Sequence, residues 1–263
     1  MTGVLPVTLG EATKVVQALL LSGKEYVCVM KLHGDVPEKR VTGVLKEFED
    51  VIYQRPPLRS SVKRQLRTRR IYYLDFLEME GRNALFKVGC ESGTYIRKLC
   101  FDVGEVLGCG AHMQELRRTR AGPFVEAGAV KLHDAAYWFM QWQEKKDEGL
   151  IRKFVQPMEH ALALVPKVWV RDSAVDAVCH GANLTAPGVL SLETGIGKGS
   201  MFAVLSLKGE AVALCRATIS SEEMLKMDHG VVGKVERVLM PRSTYPKCWK
   251  SGEKTDDKQR HRL

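Results

Sequence analysis

No apolar stretch in the sequence reaches the roughly 18 consecutive residues that a membrane-spanning helix needs, so no membrane contact is expected. The opening Met-Thr-Gly-Val-Leu-Pro-Val has neither a basic cluster nor a long apolar run, so it does not read as a secretory signal. The seven cysteines (28, 90, 100, 109, 179, 215 and 248) include no Cys-x-x-Cys pair. An odd, scattered set in mostly apolar surroundings reads as buried thiols in a reducing compartment and argues against structural zinc. Most telling is the lack of acid between Gln54 and Arg70, where seven basic residues stand with no Asp or Glu to balance them.

Forty Lys and Arg against 31 Asp and Glu give the chain a formal charge of +9, which favours a polyanionic partner. The acid-free segment, QRPPLRSSVKRQLRTRR, carries that charge at positions 55, 59, 63, 64, 67, 69 and 70. A basic run is often only a solvated face. Here the missing counter-charges favour a nucleic-acid contact, in which such residues grip phosphates and set register. Pro56-Pro57 keeps the start of the segment extended. A second basic stretch runs from His112 to Arg120, and His112, with no metal-type partner spacing, reads as a structural or surface histidine.

At 263 residues, 45% hydrophobic and 27% charged, the chain should form two soluble domains with real cores. Thr8 to Glu11 reads as a capping box ahead of a helix to about Leu21, with Ala12, Val15, Val16, Leu19 and Leu20 on one face. Lys24–Leu32 reads as a strand, and on pattern alone its Tyr26 is a core tyrosine. A short helix is expected over Val41–Glu49. Strands at Ile71–Met79 and Ala84–Cys90 are joined by the hairpin signal Glu80-Gly81-Arg82-Asn83.

A tight turn then leads into a periodic run from Tyr95 to Leu107. Gly93 permits the turn, and Ser92 or Thr94 is expected to cap the helix. Arg97, one turn in, is a fixed cation suited to a carboxylate or a phosphate, or else an ordinary solvated charge. Asp134 leads a further helix whose Tyr137, Trp138, Phe139 and Trp142 are expected to pack into a core. The composition changes over residues 144–166. From Lys167 a mostly β module of about 80 residues follows, in which Asp172 or Ser173 should cap a helix to Cys179. Residues 250–263 read as a charged, disordered tail.

Gly93-Thr94-Tyr95-Ile96-Arg97 resembles the signature of the TruB/dyskerin family of RNA pseudouridine synthases. The likeness covers nearly the whole chain. Thr2 to Val7 resembles the segment after the family's catalytic loop, Lys24-Glu25-Tyr26 its second motif, and Glu115-Leu116-Arg117-Arg118 another active-site motif. Gln54 to Pro57 with Ser60 to Arg67 is similar to the dyskerin form of the RNA-facing segment. The region Lys167 to Trp249 resembles a PUA domain, with dyskerin-like Asp228-His229-Gly230 and Thr244-Tyr245-Pro246.

This resemblance implies an α+β chain: residues 1–160 a pseudouridine synthase catalytic domain with a mixed, largely antiparallel sheet lacking its N-terminal part, and 167–249 an RNA-binding PUA domain. It implies isomerisation of uridine to pseudouridine in rRNA or tRNA without cofactor or metal. Tyr26 would stack on the target base, Leu116 would line its pocket, and Arg97 would pair with the catalytic aspartate. Arg55, Arg59, Lys63, Arg64, Arg67, Arg117 and Arg118 would bind RNA. Partners would be a guide H/ACA RNA and small H/ACA particle subunits. The lack of a long lysine-rich C-terminal extension makes the chain look archaeal, hence cytoplasmic; a eukaryotic one would be nucleolar.

One departure stands against these agreements. The family's Gly-x-Leu-Asp-Pro-type loop precedes the Thr-Gly-Val-Leu-Pro segment, whereas this sequence begins Met1-Thr2-Gly3. The nucleophile is therefore expected just upstream of Met1, and Asp35, Asp50, Asp75 and Asp102 lie in the wrong context to replace it. A start assigned too late and a genuine truncation both stay open. So does a second role, a non-catalytic RNA-binding scaffold built from the basic segment and the PUA domain. A sheet without its first strands is expected to be poorly stable alone.

Overall fold

The computed structural model describes residues 2–56 and 63–247, and the chain divides into two compact units, Met1–Leu164 and Val165–Leu263. The first unit opens with β1 (Thr2–Gly3), then α1 (Val16–Leu21), β2 (Lys24–Leu32), α2 (Glu38–Glu47) and β3 (Asp50–Gln54). It continues through β4 (Arg67–Glu80), β5 (Asn83–Cys90), α3 (Ile96–Leu107), β6 (Ala111–Ala121), β7 (Phe124–Val125) and α4 (Leu132–Lys145). The strands form one sheet in the order β1-β6-β2-β5-β4-β3, with β7 added to β6. Every pairing is antiparallel except β1 with β6, which is parallel. The sheet is therefore mixed.

Alternation decides which face is buried. Cys28, Met30 and Leu32 of β2 and Ala84, Phe86 and Val88 of β5 are all 0–1% exposed, each two residues from the next. Against that face α3 presents Ile96, Leu99, Cys100, Val103 and Leu107, the helical repeat of three and four, and α2 adds Val41 and Leu45. These residues make one core, in which the Cys28 and Cys100 sulfurs lie 3.6 Å apart and tie β2 to α3.

The second unit has β8 (Lys167–Val170), α5 (Asp172–Cys179), β9 (Leu184–Thr185), β10 (Val189–Leu192), β11 (Met201–Leu205), β12 (Ala211–Ala217), α6 (Ser221–Met224) and β13 (Val231–Val238). Its sheet runs β10-β8-β11-β12-β13-β9. Val175, Val178 and Cys179 of α5 pack onto Phe202 and Val212 of that sheet.

Several local expectations give way to longer-range contacts. Glu11 pairs with Lys14 at 2.6 Å rather than capping, and residues Gly10–Val15 form a 3-10 turn whose N-cap, Leu9, has no side-chain bond. Leu20, expected inside, is 62% exposed while Ala18 is buried. The short helix starts earlier, at Glu38 behind Pro37, and β4 begins at Arg67, so Arg67, Arg69 and Arg70 belong to a strand. Asp172 and Ser173 lie inside α5, whose N-cap is Arg171. Helix α4 differs most from expectation: none of its residues is buried, Tyr137 and Phe139 are exposed, and its ring contacts are Trp138 with Phe154 and Phe139 with Trp142. His112 is a surface histidine, as expected, with its Nδ1 2.8 Å from His33 Nε2. Residues 250–263 lie outside the described residues.

Candidate active site

The site grows from three neighbouring elements. Tyr26 and Cys28 point to the same, core-facing side of β2, and Leu116 of β6 sits opposite Cys28 in the pairing register. Leu116 is 9% exposed. Cys100 touches Cys28 from above, and Arg97 lies one helical turn before Cys100. Tyr26, Leu116 and the first turn of α3 thus share one neighbourhood. Arg97 itself is exposed and makes no ion pair among the described residues.

Arg118, opposite Tyr26 on β6, is half-buried and engaged within the protein. Its Nε donates to the Val4 carbonyl at 2.6 Å, and its guanidinium reaches the Tyr26 hydroxyl. Burial is the main cause that pushes the Tyr26 hydroxyl above its usual range, Cys90 adds to it, and Arg118 opposes it. The Val4 amide returns a bond to the Arg118 carbonyl at 2.8 Å. These bonds extend the parallel pair of Thr2 with Arg117 and Gly3 with Arg118. Gly3 has φ +98°, and any side chain there would run into the Arg118 backbone. The start of the chain is therefore pinned to β6 one register position from Leu116.

The turn ahead of Arg97 is held in an unexpected way. Gly93 has φ +80°, and the Arg69 guanidinium lies 3.2 Å from where its side chain would begin. Ser92 Oγ donates to the Leu20 carbonyl and Thr94 Oγ1 to the Glu91 carbonyl at 2.7 Å, so neither caps α3. The N-cap is Tyr95, with no side-chain cap bond from the helix's own segment. Its main chain is bound instead by the side chain of Gln54, 2% exposed at the end of β3. Tyr95 N–H donates to Gln54 Oε1 at 2.9 Å, and Gln54 Nε2 donates to the Tyr95 carbonyl at 3.2 Å. Lys24 likewise turns inward, giving its ammonium to the Leu19, Leu20 and Ser22 carbonyls at the end of α1 and to Ser92 Oγ. Burial, with the charge of Arg118, lowers its pKa.

The remaining basic candidates divide between the β3–β4 edge of the sheet and β6. Arg55 follows Gln54 and is exposed, as are Lys63 and Arg64; Arg67 starts β4 opposite Gln54. Arg59 lies outside the described residues. Arg117 is exposed and ion-paired with Glu126. The four aspartates considered as nucleophiles are each ion-paired: Asp35 with Arg82, Asp50 with Arg70, Asp75 with Lys87 and Asp102 with Lys98. None serves Arg97.

On the opposite face of the sheet, Glu25 accepts from Thr119 Oγ1 at 2.6 Å and from the Tyr73 hydroxyl, to which Arg120 donates at 3.2 Å. Partial burial opposes ionisation of Glu25, but these two bonds and the charges of Lys87 and Arg120 outweigh it and lower its pKa. Sequence reasoning missed Gln54 and this cluster. In the second unit a cavity of about 260 Å³ opens between α5 and residues 183–188, with Ser173, Asn183 and Thr185 as its polar lining. Among the described residues no group of three or more His, Cys, Asp or Glu could hold a metal ion, and no helix is long and apolar enough to cross a membrane.

Comparison with known proteins agrees with this layout. The model of the TruB family pseudouridylate synthase N-terminal domain matches residues 1–96, that of the tRNA pseudouridylate synthase B C-terminal domain residues 97–163, and that of the PUA domain residues 166–239. A probable tRNA pseudouridine synthase B of Methanopyrus kandleri is 56% identical over 94% of this chain and 73% of its own. One from Pyrococcus abyssi is also 56% identical, over 94% and 75%. Among solved structures, a chain of a Cbf5-Nop10-Gar1 complex is 56% identical with a TM-score of 0.90, covering 93% of this chain and 75% of that one. A chain of an H/ACA RNP bound to a substrate RNA containing 2'-deoxyuridine is 52% identical with a TM-score of 0.86, over 94% and 75%. The chain belongs to the TruB family of pseudouridylate synthases and carries a PUA domain.

Proposed function

We propose that this chain is the catalytic subunit of an RNA-guided H/ACA-type particle, isomerising uridine to pseudouridine in rRNA or tRNA in the cytoplasm of an archaeal-type cell. Residues 1–160 form its catalytic domain and 167–249 its PUA domain. The observation that carries the reading is the convergence of Tyr26, Leu116 and the Arg97 turn beside the pinned segment Thr2–Val4. Relatives of this architecture are found with Nop10, Gar1 and substrate RNA, which supports the same class of partners here.

The target nucleotide leaves its stack, since its glycosidic bond is out of reach in a duplex. A carboxylate supplied from ahead of Thr2 attacks the ribose C1′ or the base. The N1–C1′ bond breaks, the base turns, and a C5–C1′ bond forms; the bond made by the carboxylate is broken again, freeing it, while the C5 proton leaves and N1 gains one. Substrate and product are isomers, so the overall reaction requires no external oxidant or reductant. Arg97 holds the carboxylate ionised and aimed, Tyr26 stacks on the base, and Leu116 walls its pocket. Arg55, Lys63, Arg64 and Arg67 grip phosphates, joined by Arg59 and Arg117 of the expected set, while Arg118, engaged with Val4 and Tyr26, holds the opening segment beside the base pocket. The cavity beside α5 takes unpaired nucleotides at the ACA end of the guide.

Tritium release from C5-labelled uridine RNA, with guide RNA and partner subunits supplied, tests the reading. The chain as it stands and a form extended upstream of Thr2 are compared. Release only by the extended form, and loss of about 100-fold or more on Arg97→Ala, are expected for an interaction made in the reacting complex. Full activity of Arg97→Ala overturns its role. The ion pairing of all four aspartates favours one second reading, a scaffold that binds RNA without isomerising it. Release by neither form, with RNA still bound, would establish that reading.

A further inference from the structure

Gln54 is one of only four buried polar or charged side chains among the described residues. A buried carboxamide is costly unless both of its ends are bonded. Here both ends go to one residue, Tyr95, 41 positions away. The Tyr95 carbonyl also receives the Leu99 amide at 3.0 Å, the first hydrogen bond of α3. The same side chain that satisfies the Tyr95 amide therefore holds the carbonyl from which the helix carrying Arg97 begins. Gln54 also lies between two cations of the RNA-facing set, Arg55 next to it in the chain and Arg67 opposite it on β4.

We infer that Gln54 is a positioning residue that couples phosphate contacts at Arg55 and Arg67 to the placement of Arg97. A phosphate drawn onto these two cations fixes the end of β3, and the carboxamide passes that restraint to the Tyr95 peptide. Arg97, two residues further, is then held in a single orientation only when RNA is gripped. This rests on the proposed role of Arg97.

Amide hydrogen exchange on the 263-residue chain, with and without an H/ACA-type hairpin RNA, tests it without relying on catalysis. The Gln54→Glu variant keeps the shape and the acceptor but, when ionised, loses the donor to the Tyr95 carbonyl, and unchanged exchange protection of β2 and β5 shows that its fold is kept. In the unchanged protein RNA is expected to slow exchange at Tyr95 and Leu99 by about threefold or more. In Gln54→Glu that region should exchange about tenfold faster and ignore RNA, while RNA affinity stays within about threefold. In the upstream-extended form the same variant should lower kcat about tenfold with KM for RNA within about threefold. Equal RNA protection of Tyr95 in both proteins overturns the coupling. So does a parallel loss of affinity and kcat, the mark of a merely structural residue. If Arg97→Ala keeps full activity while exchange behaves as expected, only the Arg97 role falls.

Discussion

Glu25 and Gln54 show how single side chains serve this fold on its two faces. Glu25 holds β2, β4 and β6 together through Tyr73 and Thr119, and its pKa is lowered by those bonds despite partial burial. A carboxylate with a lowered folded value adds stability in full above its unfolded value of about 4.3 and loses it as the pH falls through the folded value. Urea unfolding should therefore weaken more steeply in this acid range for the unchanged protein than for Glu25→Gln. Equal pH slopes would remove Glu25 from the account. Tyr26, Leu116 and Arg97 could be singled out as candidates because each sits in a short, contiguous signature. Gln54 was not. Ser92 and Thr94 have the right chemistry for caps, and sequence gives no sign that an amide 41 residues earlier would take the Tyr95 main chain instead.

Among the elements, β2 and β5 were readable because burial alternates from Cys28 to Leu32 and from Asn83 to Val88. The start of β4 was read four residues late, since a run of arginines masks strand alternation until Ile71. α4 misled for a different reason: an aromatic-rich helix shows that an apolar surface exists, but not that this chain supplies the surface to cover it. One of the shortest elements offers the sharpest test. β1 is only two residues long, and its Gly3 is pressed against the Arg118 backbone, which cannot yield as a flexible side chain could. Gly3→Ala should cost about 1–3 kcal/mol through backbone strain alone and free β1 from β6. Loss of exchange protection at the Val4 amide, with protection of β2 and β5 unchanged, is the expected result. A Val4 amide as protected as before would refute it.

At the scale of the molecule, the two cores are well filled, while Leu5, Val7, Leu9, Leu20 and Leu21 are 61–73% exposed within the first 21 residues. Exposed apolar side chains gathered in one stretch promote association. Replacing Leu5, Leu9 and Leu20 with Ser should raise the concentration at which light scattering begins, while Tm moves by less than about 3 °C, as for changes outside a core. An unchanged scattering threshold would clear this stretch. The two-unit organisation and the basic character were plain from composition; the joining of distant segments was not. That joining sets a timetable. Val4 finds its partner in Arg118, 114 residues later in the chain. At a synthesis rate of about 5–20 residues per second, the opening segment waits roughly 6 to 23 s before its place in the sheet exists. Throughout that interval the exposed apolar side chains from Leu5 to Leu21 have no sheet to join, so whatever shelters a nascent chain must cover them for that long.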